Sequence, residues 1–426
     1  MRSNLLSVAV STALLAVSFA VLGADMSDHA RHEQQLQDLD QRVRALESGG
    51  QSKTTTDGKS TSNAFNPAIS LILDGTYSHF SQNVDTYGLP GFPLAAETGP
   101  GKQGLSLGES ELVMSANIDD KFYGSFTAAL TPENEVEVEE AFFETLALGG
   151  GFTAKAGRFL SSIGYLNSVH AHAWDFVDQP LAYRALLGGQ YGDDGAQLRW
   201  VAPTDLFIAL GAELFRGDSF PAGGAARDGR GTRVAYLKMG GDLGATASWL
   251  AGVSRLDAEA DNRATGDETA PDLFTGTSKL TIADVVWKWA PDGNPKRTYV
   301  KLQAEYFWRD EDGTFDPASS GTPLDYRGSQ QGGYVQGVYQ FIPRWRVGLR
   351  YDRLKADAVD AALAGTVLDS QGHHPTRVSA MIDWSHSEFS RLRLQFNRDE
   401  SRAETTDNQW YLQYVMSLGA HGAHAY

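Results

Sequence analysis

The chain has 426 residues, no cysteine and a net charge of −17 from 36 basic and 53 acidic residues. Such a charge repels nucleic acid, so no nucleic-acid partner is expected. The absence of cysteine excludes disulfides, thiolate metal sites and a lipidated cysteine. The 45 glycines, the 11% aromatic content and the mean hydropathy of −0.32 argue against a helical membrane protein. They are typical of polar all-β proteins and of outer-membrane barrels.

The N-terminus predicts export. Arg2 precedes an apolar stretch over 5–22, which ends in the small residues Gly23 and Ala24. This is the plan of a signal peptide over residues 1–24, with a membrane anchor as the alternative. Beyond residue 24, no uninterrupted apolar run approaches the ~20 residues that a membrane helix needs.

Residues 25–48 predict a short periplasmic coiled-coil helix. Four apolar residues follow the a/d spacing of a heptad repeat: Leu36, Leu39, Val43 and Leu46. Two heptads are too few for a stable isolated coil, so the chains must be held together elsewhere. The alternative is a simple amphipathic helix. The polar residues 49–65 predict a flexible linker.

From residue 66 to residue 426 the pattern has period two. In the last clear run, Trp410, Leu412 and Tyr414 alternate with Gln409 and Gln413. Segments of about ten residues with one apolar face and one polar face predict an all-β transmembrane antiparallel β-barrel. A soluble all-β protein is the alternative, but it would need a second apolar layer over the aliphatic face. Sixteen strands are predicted, near 68–81, 105–118, 121–131, 136–148, 151–159, 191–201, 205–216, 231–240, 243–257, 277–290, 297–310, 327–341, 344–357, 374–385, 389–400 and 408–419.

The connections between these strands alternate in length. Every second one is a short turn, and most of the others are long and polar: 82–104, 160–190, 217–230, 258–276, 311–326 and 358–373. Short periplasmic turns and long external loops are typical of bacterial outer-membrane barrels. The predicted location is therefore the outer membrane of a Gram-negative bacterium, in contact with the bilayer and with lipopolysaccharide.

Three short motifs carry a family resemblance. They are Glu140-Ala141-Phe142-Phe143-Glu144, Lys155-Ala156-Gly157-Arg158-Phe159 and Gly164-Tyr165. This stretch resembles the phosphate-selective porin-like family. The resemblance implies a sixteen-stranded barrel behind a short coiled coil, a homotrimer, and passive diffusion of small hydrophilic solutes or ions.

The connection 160–190 is the third external loop, which in general porins folds inward and narrows the channel. In this chain it carries a single basic residue, Arg184, beside Asp175, Asp178, His170 and His172. Phosphate-selective members of the family line their constriction with lysine and arginine. The architecture is therefore expected to carry over, but the selectivity for phosphate is not.

If the apolar faces meet lipid, many charged side chains point into the lumen. The expected pore-lining set is Arg346, Arg350, Arg377, Arg391, Arg393, Lys155, Arg199 and Glu111. An arginine wall opposite acidic groups produces a transverse field and attracts anionic solutes. Changing Arg350 and Arg393 to Ser is then expected to shift selectivity towards cations. The alternative is a hydrated interior whose charges pair for stability.

Paired histidines suggest a second hypothesis, uptake or binding of divalent metal ions. His170 and His172 would share one face of an extended segment and chelate Zn²⁺ or another divalent metal, and His421 with His424 form a similar pair. No hydrolase, protease or nucleotide-binding motif is present, so no catalytic residue and no enzyme activity are predicted. An outer-membrane hydrolase would have to use Ser78-His79 or the 383–386 segment.

Overall fold

The computed structural model describes residues 67–95, 98–224, 231–267 and 269–419. The predicted signal peptide (1–24), coiled coil (25–48) and linker (49–65) lie outside these residues, as do His421 and His424. Within the described part of the chain, no helix combines the length and the apolar character needed to cross a membrane.

The chain forms one large antiparallel sheet. Its strands are β1 (Ala68–Phe80), β2 (Gly104–Leu107), β3 (Ser110–Asn117), β4 (Phe122–Leu130), β5 (Val136–Thr145), β6 (Phe152–Leu160), β7 (Gly192–Val201), β8 (Phe207–Phe215), β9 (Thr232–Leu243), β10 (Ala247–Thr265), β11 (Asp272–Trp289), β12 (Tyr299–Asp316), β13 (Leu324–Ile342), β14 (Trp345–Ala356), β15 (Thr376–Ser387), β16 (Ser390–Glu400) and β17 (Asp407–Gly419).

The sheet closes on itself. Each strand pairs with its neighbours in sequence, and β1 pairs with β17 from Ser70 opposite Gly419 to Phe80 opposite Gln409. β2 and β3 both pair with β1, so they are two halves of one interrupted strand. The result is a closed sixteen-stranded barrel, which confirms the predicted fold class. Closure leaves no edge strand among the described residues, as a sheet in lipid requires.

Side chains alternate across the barrel wall as predicted. On β17, Trp410, Leu412 and Tyr414 are exposed on the outer face, whereas Gln409 and Gln413 are buried inside. The same alternation exposes Leu302, Val347, Leu349 and Leu394, among others, on the outside. The outer wall is therefore apolar and the inner wall predominantly polar.

Four strands are longer than predicted. The expected loops 258–276 and 311–326 are largely strand, because β10 reaches Thr265, β11 starts at Asp272, β12 reaches Asp316 and β13 starts at Leu324. These extensions lie at the long-loop end, where the outer face carries polar residues such as Glu259 and Asp312. Without an apolar outer face the period-two signal disappears, although the hydrogen-bond ladder continues.

The connection between β6 and β7, here called the inner loop (161–191), folds back into the barrel. It contains the helix α1 (Leu181–Leu187) and two 3-10 turns, Leu166–Ser168 and Ala171–Ala173. Further 3-10 turns lie at Val84–Thr86, Pro317–Ser319 and Ala361–Leu363. α1 ends at Gly188, whose φ of 65° suits a residue without a Cβ.

An apolar cluster fills part of the barrel beneath α1. Leu181 and Leu186 of the helix are fully buried, and so are the inward-facing Leu280, Phe307 and Leu354 of β11, β12 and β14. Removing these side chains from water is worth about 1.5–3 kcal/mol each. The helix therefore packs against the inner wall rather than extending away from the barrel.

Candidate functional site

The inner loop contacts opposite sides of the barrel. Leu166 donates its backbone N–H to Glu305 of β12, at 3.0 Å. His170 lies 3.2 Å from Glu139 of β5, and Asp178 lies 2.7 Å from Arg350 of β14. Because β5 lies several strands away from both β12 and β14, the loop crosses the lumen.

Glu305 is the first anchor of the inner loop. This fully buried carboxylate accepts hydrogen bonds from the backbone N–H groups of Tyr165 (2.9 Å) and Leu166 (3.0 Å) and from the hydroxyl of Tyr183 (3.0 Å). Gly164 makes this approach possible, since a Cβ at that position would clash with the Glu305 carboxylate. Gly164 belongs to the motif that carries the family resemblance.

Asp178 is the second anchor. Its carboxylate lies 2.7 Å from both Arg350 and Arg377, and it accepts hydrogen bonds from Gln395 (2.6 Å) and Asn397 (2.9 Å). Burial alone would raise the pKa of Asp178, but the charges of Arg377 and Arg350 outweigh burial and lower it. Arg184 of α1 adds a third guanidinium at 3.5 Å. The inner loop thus carries one of the two carboxylates that neutralise Arg350 and Arg377, and Asp352 of β14 supplies the other.

Asp175 forms the third anchor. Its two oxygens lie 2.9 Å from Nζ of Lys301 and 3.1 Å from the Arg346 guanidinium. The pKa of Asp175 is lowered because the charges of Lys301 and Arg346 outweigh the effect of burial. Next to it, Arg391 donates to the backbone carbonyl of His172, and Arg393 donates to that of Trp174.

All five predicted arginines therefore face inward and contact the inner loop. The expectation of an aqueous arginine wall needs correction for three of them, because Arg350, Arg377 and Arg393 are at most 2% exposed. They are buried under the inner loop, whose carboxylates and carbonyls accept hydrogen bonds from each of them. Changing Arg350 and Arg393 to Ser would thus disturb the loop itself, and is not a clean test of selectivity.

Solvent reaches other basic residues, nearer the short-turn end. We call the following set the basic arc: Lys155, Arg199, Lys288, Lys301 and Arg346. Arg199 retains 40% side-chain exposure, and Lys288 stands directly opposite Lys301 in the β11–β12 register. The acidic side consists of Glu111 of β3, Glu139 and Glu140 of β5, and Glu109 just before β3; it lies across the lumen from Lys288, Lys301 and Arg346 and adjoins Lys155 on the neighbouring strand β6. Lys288, Lys301 and Arg346 thus face the acidic side across the lumen, an arrangement that would produce the transverse field expected from the sequence.

The inner-loop histidines are arranged differently from the expectation. They lie on the 3-10 turn Ala171–Ala173 and its N-cap, not on an extended segment, and their rings stack at 5.9 Å. Each ring faces carboxylates of the acidic side: His172 lies 2.7 Å from Glu111, and His170 lies 3.2 Å from Glu139 and 3.1 Å from Glu140. Burial opposes a charge on His170, but these carboxylates raise its pKa well above the ordinary value.

The two segments considered for a hydrolase are not assembled into a catalytic pair. Ser78 is buried on the inner face of β1, whereas His79 is exposed on the outer face. Asp383 lies inside the barrel, paired with Arg346, while His386 is exposed and packs against Trp384.

Two anchors were missed by the period-two pattern. Glu305 and the apolar Phe307 both face the inner loop, and neither was predicted. A signal was present: the run Tyr306-Phe307-Trp308 is apolar on both faces of β12. A strand that is apolar on both sides is covered on both sides, which in a barrel means lipid outside and an inserted segment inside.

Comparison with known proteins supports this fold. No model of a known protein family matches the chain. An uncharacterized protein of Aquifex aeolicus (strain VF5) is 32% identical over 395 residues, which cover 85% of this chain and 80% of that protein.

Solved structures share the architecture at low sequence identity. A loop L8 deletion mutant of OmpT, an outer membrane protein of Vibrio cholerae, aligns with a TM-score of 0.52 at 12% identity, covering 83% of this chain and 99% of that one. An anion-selective porin from Comamonas acidovorans aligns with a TM-score of 0.51 at 8% identity and the same coverage. The chain thus belongs to the family of the Aquifex aeolicus protein, and its fold is the closed sixteen-stranded barrel of the outer-membrane porins.

Proposed function

We propose that this protein is a porin of the Gram-negative outer membrane, through which small hydrophilic solutes diffuse passively. The observation that carries the proposal is a closed barrel with an apolar outer wall, a polar inner wall and a loop anchored across its interior. The apolar exterior suits lipid, and the polar interior suits water and solutes. The inner loop would form the constriction.

The structural neighbours support this function. They include an anion-selective porin and an outer membrane channel, DcaP of Acinetobacter baumannii, which aligns with a TM-score of 0.50 at 12% identity. Membership of the phosphate-selective porin-like family stays a prediction that rests on the three short motifs. The proposal is a channel without enzyme activity, in contact with the bilayer and lipopolysaccharide.

A homotrimer is part of the proposal. One neighbouring structure is a trimer form of Vibrio cholerae OmpT. Three barrels side by side would bring three copies of the Leu36–Leu46 segment to high local concentration, which offsets the weakness of a two-heptad coil. Chemical cross-linking in mild detergent should then yield a three-subunit product.

Single-channel recording tests the proposed function. Purified mature protein added to a planar bilayer should produce stable, stepwise increases in conductance, because the polar lumen admits hydrated ions. Liposomes containing the protein should swell in small neutral sugars, whereas protein-free liposomes should not. Protein that shows a β-sheet circular dichroism spectrum and heat-modifiable migration, yet no conductance steps and no swelling, would contradict the proposal.

A further inference from the structure

Three side chains of the constriction converge on one small volume. Nδ1 of His170 lies 3.2 Å from Oε2 of Glu139 and 3.5 Å from Oε2 of Glu111. One ligand atom from each of Glu111, Glu139 and His170 lies within 4.8 Å of those of the other two. His170 comes from the inner loop, Glu111 from β3 and Glu139 from β5, so the contact joins the loop to two strands of the wall.

The separations match the ligand set of a tetrahedral metal ion. Zn²⁺ binds imidazole nitrogen and carboxylate oxygen at about 2.0–2.2 Å, which places neighbouring ligands about 3.4 Å apart. The two distances from His170 fit this edge length. A metal ion would take the place of the proton on Nδ1 of His170; two carboxylates and the resulting neutral imidazole then balance a divalent charge, and three protein ligands leave a fourth position for water.

Within the described part of the chain, one oxygen in this group accepts no hydrogen bond and has only the 3.5 Å contact with His170. Glu111 is completely buried, yet its Oε2 accepts no hydrogen bond from the described residues. Leaving a buried carboxylate oxygen unsatisfied is unfavourable. This oxygen lies on the side of the carboxylate that faces His170 and Glu139, where a cation would complete its coordination.

The surrounding contacts are those of a metal site with an ordered outer shell. Nε2 of His170, the other ring nitrogen, lies 3.1 Å from Glu140, and Oε1 of Glu111, the other carboxylate oxygen, lies 2.7 Å from Nδ1 of His172. A carboxylate on the far nitrogen of a metal-binding histidine fixes its tautomer and orientation. His172 plays the same orienting part for Glu111.

A β-bulge supplies two of these carboxylates. The register between β4 and β5 shifts so that Thr127 faces Glu140 while Ala128 faces Val138, which leaves Glu139 as the extra residue. A bulge re-aims a side chain that strict alternation would send to the other face. Glu139 and Glu140, although consecutive, can therefore both reach His170.

We propose that Glu111, Glu139 and His170 bind one divalent transition-metal ion, with Zn²⁺ as the reference ion, and that this ion holds the inner loop against β3 and β5. His172 and Glu140 are positioning residues of the site. An imidazole ligand favours Zn²⁺, Cu²⁺ or Ni²⁺ over Ca²⁺ or Mg²⁺, which prefer all-oxygen sites. This ligand set differs from the one expected from the sequence, in which His170 and His172 would both bind the metal ion.

Isothermal titration calorimetry of the mature protein in detergent, stripped with EDTA and titrated with ZnCl₂ near pH 7.5, tests the site. The wild type should bind one Zn²⁺ per chain. Glu111→Gln and His170→Ala should each abolish binding, and Glu140→Gln should weaken it by about 10–100-fold because it removes only an orienting contact. Since binding is measured without conductance, its failure and the failure of the porin proposal are distinguishable.

The matched control is the double variant His421→Ala/His424→Ala, which removes a histidine pair elsewhere in the chain. It should bind Zn²⁺ with unchanged stoichiometry and affinity. Heat-modifiable migration on gels shows whether each variant is folded. If His170→Ala fails to fold, Glu139→Gln provides another ligand variant, because Glu139 is only half-buried. Absence of saturable binding to the wild type, or full retention by folded Glu111→Gln and Glu139→Gln, would overturn the proposal.

Discussion

Replacing Asp178 with Asn should release the inner loop from the barrel wall. The substitution keeps the shape of the side chain but removes the loop carboxylate shared by Arg350 and Arg377, which leaves both buried with Asp352 of the wall as their remaining carboxylate, at 3.1 and 3.4 Å. Removing one partner of a buried ion pair costs about 3–5 kcal/mol. We expect a lower unfolding temperature in detergent and a larger, noisier single-channel conductance, because the loop that crosses the lumen loses its attachment to β14 and β15.

Asp218→Asn is the matched control. Asp218 also pairs with an arginine, Arg216 at 2.9 Å, but both side chains are about half exposed outside the strands. An exposed pair contributes little to stability, so this variant should behave as the wild type. If Asp178→Asn and Asp218→Asn have equal unfolding temperatures and conductances, Asp178 does not anchor the loop.

Acid should remove the same anchor, but only at low pH. The pKa of Asp178 and that of Asp175 are lowered in the folded protein. Their stabilising contribution is therefore complete above the ordinary carboxyl pKa of about 3.9 and disappears as the pH falls through the lowered values. At neutral pH, the conductance of Asp178→Asn should therefore already resemble the conductance of the wild type in acid.

The second large effect concerns ion selectivity. Changing Arg199 and Lys288 together to Ser should shift the channel towards cations, because it removes two charges of the basic arc and leaves the acidic side intact. Arg199 pairs with Glu144 of the wall at 4.0 Å, and the double variant keeps the ion pairs of Asp175 with Lys301 and Arg346, so the loop should stay in place. Local charge in the lumen, rather than the net charge of −17, governs permeation. The measurement is the reversal potential in a salt gradient.

Arg327→Ser/Arg353→Ser is the control for selectivity. It removes the same number of positive charges from exposed positions on the outer face of the barrel. Its reversal potential should match that of the wild type. Equal shifts in both double variants would mean that the total charge, and not the lumen charge, sets the selectivity, and an absent shift in Arg199→Ser/Lys288→Ser would place the ion path away from the basic arc.

The barrel could be predicted from the sequence because the outer and inner faces of its wall meet different environments. Lipid outside and polar contacts inside impose period two on nearly every strand, as Trp410, Leu412 and Tyr414 show against Gln409 and Gln413. The order of the strands could also be predicted, because strands joined by short turns pair with their neighbours in sequence and few other arrangements are possible. The prediction failed for the ends of β10 to β13, where polar surroundings on both faces remove the alternation.

The tertiary structure alone decided what the inward charges do. Alternation placed Arg350, Arg377 and Arg393 inside, but it could not show that Asp178, which precedes them by more than 170 residues, would bury them. Nor could it show that a bulge at Glu139 sends two consecutive carboxylates to His170. The period-two pattern shows which face of a single strand is apolar. Which distant segment meets that face depends on how the loop packs within the closed barrel, and that packing is a property of the whole fold.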